Sequence, residues 1–253
     1  MEMTNKELIV KRANKEVYKC DQGIVKVYEK HHPKANVFNE ALNTARAEET
    51  GLDIPEIREV TKVDDKWALI IDYREGTTLA EMMEADKENL EKYMDEFVDL
   101  QLEIHSKRSP RMTKMKDKLA SQINSLKDVD ATIRYELLTR LESMPKHNKL
   151  CHGDYNPTNV IYGKNGKLAI VDWTHATQGN ASGDAAMTYL LFALDDQDMA
   201  DLYLKTFCKK SDTARQYVQQ WLPIVAAAQL SKNHDNQMEK DFLMKWIDVV
   251  DYQ

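Results

Sequence analysis

Hydrophobic and polar residues alternate over the first 72 residues of the chain, and this alternation predicts β-strands. β-Branched and aromatic residues recur at every second position in short runs that end at polar turns. Within "IVKVY", Lys26 shares one face with Ile24 and Tyr28, whereas Val25 and Val27 point to the opposite face. The predicted strands are "ELIVKR", "EVYKCD", "GIVKVYE", "IREVTKV" and "KWALIID", with Asp64–Asp65 as the turn between the last two.

One helix is expected among these strands. Pro33 stands where a helix begins and Gly51 where it ends. Between them, "KANVFNEALNTARAEET" places Val37, Ala41 and Ala45 at helical spacing beside Glu40.

The pattern becomes mainly helical after "YREGTT". Thr78 and Glu81 form a capping box that opens a helix, and apolar residues follow at helical spacing through 90–104. Further helices are predicted at 113–126, at 131–143 and from Ser182 onward. Two short strands, "NVIY" and "KLAIVD", interrupt them around a turn at 163–166.

These elements predict an α+β fold with two lobes. The expected division is an N-terminal nucleotide-binding lobe at 1–72, a hinge at 73–78, and a catalytic and substrate-binding lobe at 79–253. The first lobe would hold an antiparallel sheet with one helix, and the second would be mainly helical. A cleft between two such lobes is a natural place for a ligand.

Composition and charge limit the possible partners. The chain has 253 residues, of which 42% are hydrophobic, and its formal net charge is −7, which argues against a nucleic-acid-binding surface. Cys20, Cys151 and Cys208 have no disulfide or zinc spacing and suit a reducing compartment. The longest apolar stretches are too short to cross a bilayer, and the N-terminus has no secretory pattern. We therefore expect a cytoplasmic protein that engages no membrane.

Three polar residues around the two short strands carry the candidate chemistry. "CHGDYNPTNVIY" places Asp154 and Asn159 in one loop, and Asp172 ends the apolar run of "AIVDW". A hairpin of the two strands would return Asp172 beside Asn159. An amide oxygen and a carboxylate, with room for water and phosphate oxygens, suit Mg²⁺. Asp154 could then face an incoming hydroxyl group.

The order of residues matches the requirements of phosphoryl transfer. That reaction needs a metal on the phosphates, a lysine on the non-transferred phosphates, and an acid that orients the nucleophile. Lys26 in a strand and Glu40 in the next helix could supply the lysine and its ion pair. They are followed in the sequence by the hinge, the loop and the final carboxylate.

The chain resembles the aminoglycoside phosphotransferase and choline kinase family, relatives of the protein kinases. "HGDYNPTN" matches the family's catalytic loop and "IVDW" its metal-binding strand. "GLDIPEI", "LIIDYREGTTLAE" and "GNASGDAAMTY" resemble the flanking segments. The resemblance runs from about residue 8 to residue 195. It implies a protein kinase-like fold and an enzyme that uses ATP or GTP with Mg²⁺.

The resemblance also implies a role for each matched residue. Lys26 would contact the α- and β-phosphates and Glu40 would hold it, while the backbone of Asp72, Tyr73 and Arg74 would bind the purine. Asn159 and Asp172 would bind magnesium. Asp154 would orient or deprotonate the acceptor hydroxyl, His152 would shape the loop through hydrogen bonds, and Asp184 would brace it. The acceptor would be a small molecule such as an aminoglycoside, an amino alcohol or a sugar.

Other interpretations remain at this stage. Asp154 and Asn159 taken alone are typical of an ordinary turn. The chain could also be a pseudokinase that binds a nucleotide or serves as a scaffold without catalysis. A protein kinase is disfavoured, because no A-P-E signature follows Asp172. Over 184–253, eleven acidic residues against seven basic ones would suit a cationic acceptor. The turn after the first strand has no glycine, so no phosphate-covering residue is assigned there.

Overall fold

The computed structural model describes residues 3–164, 166–232 and 236–248. The chain packs into two compact units, one formed by Met1–Ala85 with Pro157–His175 and the other by Asp86–Asn156 with Ala176–Gln253. These units are defined by packing. The division into lobes at 1–72 and 79–253 around a hinge at 73–78 remains a prediction.

Strands dominate the first unit and helices the second. The strands are β1 (Glu7–Lys11), β2 (Lys15–Cys20), β3 (Gly23–Tyr28), β4 (Ile57–Val63), β5 (Lys66–Ile71), β6 (Gly76–Thr78), β7 (Lys149–Cys151), β8 (Val160–Gly163), β9 (Leu168–Ile170) and β10 (Thr177–Gly179). The α-helices are α1 (Lys34–Glu48), α2 (Leu79–Ala85), α3 (Leu90–Ser106), α4 (Met115–Ser125), α5 (Ala131–Ser143), α6 (Ala181–Ala193), α7 (Gln197–Ser211), α8 (Arg215–Gln219), α9 (Leu222–Leu230) and α10 (Gln237–Asp248).

The first unit is built on an antiparallel sheet in the order β1-β2-β3-β5-β4. Its central strand β3 is covered on both faces, as the alternation in "IVKVY" predicts. Val25 and Val27 pack with Ala68 and Ile70 on one face. On the opposite face, Tyr28 packs with Leu69, Ile71 and Val37. Lys26 therefore lies on the face that carries α1.

The buried stripe of α1 differs from the one that apolar spacing predicts. The buried residues are Val37, Glu40, Asn43, Thr44 and Ala47, whereas Ala41 and Ala45 are half-buried. The helix is thus rotated so that a carboxylate faces the sheet. Glu40 tolerates this burial because Lys26 and Tyr28 meet its two oxygens.

A second small sheet in the first unit, in the order β6-β8-β9, has Asn159 just before β8 and Asp172 just after β9. α2 follows β6 directly and begins at the predicted capping box. The Glu81 side chain accepts from the Thr78 amide at 2.9 Å, and the Glu81 amide donates to the Thr78 hydroxyl at 3.2 Å.

The second unit has a helical core. α3 buries the predicted stripe through Tyr93, Met94, Phe97 and Ile104, and the stripe continues through polar Gln101. Gln101 accepts from the Tyr203 hydroxyl at 2.6 Å and donates to that of Thr188 at 3.2 Å. Hydrogen bonds therefore replace apolar contacts along part of this helix.

Three strands lie outside the sequence prediction: β6, β7 and β10. Each has three residues, too few to display an alternating pattern. β7 and β10 pair with each other in the second unit, with Cys151 opposite Thr177. Their pairing depends on long-range contacts that no local pattern encodes.

The three cysteines are free thiols, as their spacing predicts. None of the helices in the described ranges has the length and apolar character needed to cross a membrane.

The β4–β5 hairpin offers a test of local strain. Asp64 and Asp65 form its two-residue loop, with φ angles of 47° and 61°. Both values lie in the left-handed region, where a Cβ costs about 1 kcal/mol relative to glycine. Asp65→Gly should therefore unfold about 2–4 °C above Asp65→Ala in thermal melts followed by circular dichroism.

The control pair lies at exposed Lys205 in the interior of α7. In a helix, glycine is about 1 kcal/mol less favourable than alanine, so Lys205→Gly should melt below Lys205→Ala. An alanine variant at 65 as stable as the glycine variant would contradict the assigned turn geometry.

Candidate active site

A cavity of about 650 Å³ in the first unit collects most of the predicted site residues. This volume is in the range typical of small-molecule sites. Its polar lining includes Lys15, Lys26, Asn159 and Asp172. Its apolar lining includes Val10, Val17, Ile24, Ile71, Ile161 and Val171. The cavity thus combines apolar walls with a charged region.

The Lys26–Glu40 ion pair is almost fully buried. The Lys26 ammonium group lies 2.6 Å from Glu40 Oε1, and the Tyr28 hydroxyl donates to Glu40 Oε2 at 2.8 Å. Burial alone lowers the pKa of Lys26, but the charges of Asp172 and Glu40 raise it above its usual value. Burial alone raises the pKa of Glu40, and the charges of Lys26 and Lys15 bring it below its usual value. Both groups are therefore held in their charged forms.

Asp172 connects this pair to a second lysine. Its Oδ1 lies 3.5 Å from the Lys26 ammonium group, and its Oδ2 lies 3.3 Å from that of Lys15. The Thr174 hydroxyl donates to Oδ1 at 2.5 Å. Asp172 has a φ of 63°, a left-handed conformation that aspartate tolerates better than most residues. This backbone turn directly after β9 directs the carboxylate to the cavity.

Asn159 reaches the same cavity from the neighbouring strand. It ends the short 3₁₀ helix at 157–159, immediately before β8. β8 pairs antiparallel with β9, and the Val171 amide donates to the Asn159 carbonyl at 2.9 Å. The hairpin expected from "NVIY" and "KLAIVD" therefore brings Asn159 and Asp172 to one wall of the cavity.

The segment after β5 also lines the cavity through Asp72, Tyr73 and Arg74. The Asp72 amide donates to the Glu56 carbonyl at 2.9 Å, and its side chain pairs with Arg58. The Arg74 guanidinium group donates to the Ile54 carbonyl at 2.8 Å. These bonds hold the segment in place. The Asp72 amide already donates to Glu56, whereas its carbonyl is not used by these bonds.

In the second unit, Asp184 organises the loop that carries Asp154. Its carboxylate accepts the amides of His152 at 3.2 Å and Gly153 at 2.7 Å, and lies 2.9 Å from His105 Nε2. Burial alone raises the pKa of Asp184, but the hydrogen bonds from His105 and Gly153 bring it below its usual value. Gly153 has a φ of 78°, which glycine adopts without strain. Asp154 follows at once.

Lys15 and His105 are among the residues of these networks for which the sequence predicts no role. Lys15 lies just before the predicted strand "EVYKCD", and an isolated lysine at that position gives no signal for its partner Asp172. His105 has no partner visible in the sequence, and the structure buries it against Asp184. The uninterrupted stripe of α3 could have indicated its burial, since His105 follows the buried Gln101 by four residues.

The first-unit cavity has the chemical groups needed for a phosphate ligand. Two ammonium groups can offset phosphate charge, and a carboxylate and an amide oxygen can bind a divalent cation. The apolar walls can enclose a planar ring. The predicted residues Lys26, Asn159 and Asp172 thus meet in one unit, whereas Asp154, His152 and Asp184 belong to the other.

Solved structures of known proteins share this fold. Aminoglycoside phosphotransferase APH(4)-Ia, a thermostable mutant in its apo form, matches with a TM-score of 0.74 at 14% identity, covering 98% of this chain and 94% of that one. Choline kinase LicA from Streptococcus pneumoniae matches at 0.69 with 14% identity, covering 100% and 95%. The predicted protein kinase-like α+β fold is confirmed.

A search of curated protein sequences found no match. A family model described as the phosphotransferase enzyme family matches residues 11–221. That range contains every predicted site residue and most of the chain. It confirms the resemblance found in the sequence motifs and the predicted enzyme class. The chain belongs to the phosphotransferase enzyme family.

Proposed function

We propose that the protein transfers the γ-phosphoryl group of ATP or GTP to a hydroxyl group of a small molecule, with Mg²⁺ as cofactor. The observation that carries this proposal is the buried Lys26–Glu40 pair joined to Asp172 at the charged region of the cavity. Burying two charged groups is costly, and a strongly perturbed charged pair beside a cavity is typical of a functional site. Several proteins of this fold have been crystallised with nucleotides, among them LicA with AMP and APH(2'')-Ib with ADP.

The nucleotide base fits the apolar walls beside the segment at 72–74. Because the Asp72 amide is engaged by Glu56, we assign the donors for the base to the amides of Tyr73 and Arg74. The Asp72 carbonyl is the matching acceptor. The resemblance implies that the backbone of all three residues binds the purine. In this assignment Asp72 contributes only its carbonyl group, and Tyr73 and Arg74 contribute their amides.

The phosphates fit the opposite, charged region. Lys26 would contact the α- and β-phosphates, and Glu40 and Tyr28 would keep its ammonium group oriented. Lys15 lies on the other oxygen of Asp172 and would provide a second cation. Neutralising phosphate charge with preorganised groups is the main contribution a protein makes to this reaction.

Asn159 and Asp172 fit a magnesium ion by their chemistry. Both provide oxygen ligands, which Mg²⁺ prefers, and both line the cavity beside the two lysines. When bound there, Mg²⁺ would supply positive charge to the phosphate oxygens. Lys15, Lys26 and Thr174 hold the Asp172 carboxylate in place.

Asp154 is assigned to the acceptor. It would orient the hydroxyl group and take its proton as the acceptor oxygen bonds to the γ-phosphorus. The bond from that phosphorus to the bridging oxygen breaks, and the departing nucleoside diphosphate keeps the electron pair. Asp184 and Gly153 position the Asp154 backbone, which supports a bracing role for Asp184.

The central prediction concerns the two carboxylates. Asp154→Asn and Asp172→Ala should each lower Mg²⁺-dependent phosphoryl transfer by at least about 100-fold, because one loses proton transfer and the other a metal ligand. The measurement is nucleoside diphosphate release with a panel of aminoglycosides, amino alcohols, sugars and hydroxy acids. Circular dichroism would verify folding.

Asp128→Asn, at an exposed loop position of the second unit, is the control and should leave the rate unchanged. Unchanged turnover in both active-site variants would disprove the assignment. Nucleotide binding by the wild type, with no release for any acceptor, would favour the pseudokinase instead.

A further prediction separates the functional role of the ion pair from its structural role. Lys26→Met leaves Glu40 buried without its main cation, so it should lower the free energy of unfolding by about 3–5 kcal/mol. Adding Glu40→Gln removes the second charge while the Tyr28 hydroxyl keeps an acceptor. The double variant should therefore be more stable than Lys26→Met in urea unfolding and remain inactive. A double variant less stable than the single one, or one that regains turnover, would contradict this account.

A further inference from the structure

Asp172 pairs with two lysines that differ in their other contacts. Its Oδ1 lies 3.5 Å from the Lys26 ammonium group, and its Oδ2 lies 3.3 Å from that of Lys15. Lys26 has a second carboxylate, because Glu40 Oε1 lies 2.6 Å from its ammonium group. Among the residues that the structure describes, Asp172 is the only carboxylate paired with Lys15. Lys15 therefore depends on Asp172 for its ion pair, whereas Lys26 does not.

The sheet directs Lys15 into the cavity of the first unit. Lys15, Val17 and Lys19 alternate along β2, and all three line the cavity. Val17 lies opposite Lys26 in the pairing of β2 with β3, so Lys15 and Lys26 are diagonal neighbours on one face of the sheet. Lys15 thus borders the charged region to which the phosphates are assigned.

The turn before Lys15 favours a side chain over the backbone as the phosphate-binding group. Glycine-rich loops bind phosphates through backbone amides, because glycine allows the backbone to approach a ligand closely. Residues 12–14 contain no glycine, and the Arg12 amide already donates to the Lys15 carbonyl at 2.9 Å. A lysine at the end of such a turn can supply a charged donor on a flexible stem instead.

The metal ion proposed for this cavity needs the carboxylate that Lys15 contacts. Mg²⁺ would take Asp172 as an oxygen ligand, and cations that share one carboxylate repel each other. Lys26 keeps Glu40 when Asp172 binds a metal, whereas Lys15 loses its paired carboxylate. Phosphate oxygens can replace that partner through charge-assisted hydrogen bonds. A bound nucleotide would therefore remove the obstacle that Lys15 presents to the metal.

We propose that Lys15 competes with the metal ion for Asp172, and that the nucleotide phosphates end this competition by binding the Lys15 ammonium group. The inference rests on the proposed function in one respect, that Mg²⁺ and a nucleotide bind in this cavity. Its consequence is a coupling between the two ligands. Lys15 weakens the binding of the metal alone, but it does not weaken the binding of the metal together with a nucleotide.

Metal binding without nucleotide tests the competition directly. Mn²⁺ takes the same oxygen ligands as Mg²⁺ and can be followed by electron paramagnetic resonance. Lys15→Met should bind Mn²⁺ at least about 10-fold more tightly than the wild type, because the competing ammonium group is gone. Lys15→Arg keeps the charge and should bind Mn²⁺ like the wild type. Adding Asp172→Asn to Lys15→Met should abolish the gain, and circular dichroism would verify folding.

Lys19→Met is the matched control for the loss of one positive charge. Lys19 lines the same cavity from the same strand, but its ammonium group lies 4.3 Å from the centroid of the Tyr73 ring. Its removal leaves the Lys15–Asp172 pair intact, so Mn²⁺ affinity should change by less than about 2-fold. The proposal is wrong if Lys15→Met shows no gain, or if Lys19→Met gains as much.

Calorimetry with the Mn²⁺ complex of a non-hydrolysable ATP or GTP analogue tests the role of the phosphates. Complex formation in solution is the same for both proteins and cancels in the comparison. The wild type should bind the complex at least as tightly as Lys15→Met does, because the phosphates give Lys15 a new partner. If Lys15→Met binds the complex about 10-fold more tightly, as it should bind Mn²⁺ alone, the phosphates do not draw Lys15 from Asp172 and the proposal fails.

Nucleoside diphosphate release with the acceptor panel separates this inference from the proposed function. A gain in Mn²⁺ affinity that the nucleotide cancels, with no transfer to any acceptor, would support the role of Lys15 and count against the proposed activity. Transfer by the wild type, with equal Mn²⁺ affinities in the wild type and Lys15→Met, would support the activity and overturn the competition.

Discussion

Lys26 extends from the central strand of a sheet, and its ammonium group is buried. Much of the first unit is arranged to keep that group charged. An isolated buried cation would lose its proton or destabilise the fold. The negative charges of Glu40, on α1, and of Asp172, in the turn after β9, compensate the Lys26 charge and prevent this. The requirement explains two features that apolar patterning does not. α1 presents Glu40 rather than Ala41 to the sheet, and Asp172 adopts a left-handed backbone conformation.

A second buried charge has a comparable role in the second unit. Asp184 is 1% exposed and gains its compensation from backbone amides and His105 rather than from a lysine. Because two of those amides belong to residues 152 and 153, the carboxylate fixes the backbone path just before Asp154. In both units, a buried charge helps to fix the position of a proposed site residue. Breaking either network would leave an uncompensated charge in the interior.

The sequence predicts the local structure well and the partnerships between distant residues less completely. The strands β1 to β5 and the helices α1 and α3 follow from alternation and helical spacing, because each repeats over enough residues to be recognised. Lys15 and His105 were missed as partners, since a single residue carries no periodic signal and its partner lies 157 or 79 positions away. The motif around Asp154 and Asn159 was informative because several unusual residues occur there in a fixed order.

Low sequence identity and a shared fold are compatible here for a physical reason. At 14% identity to solved structures, few contacts can be preserved residue by residue. A buried ion pair, a hairpin that ends in a carboxylate and a braced loop each need only a few specific side chains, and the remaining positions need only keep their apolar or polar character. The fold can therefore persist while most of the sequence changes, and the fold alone does not identify the acceptor.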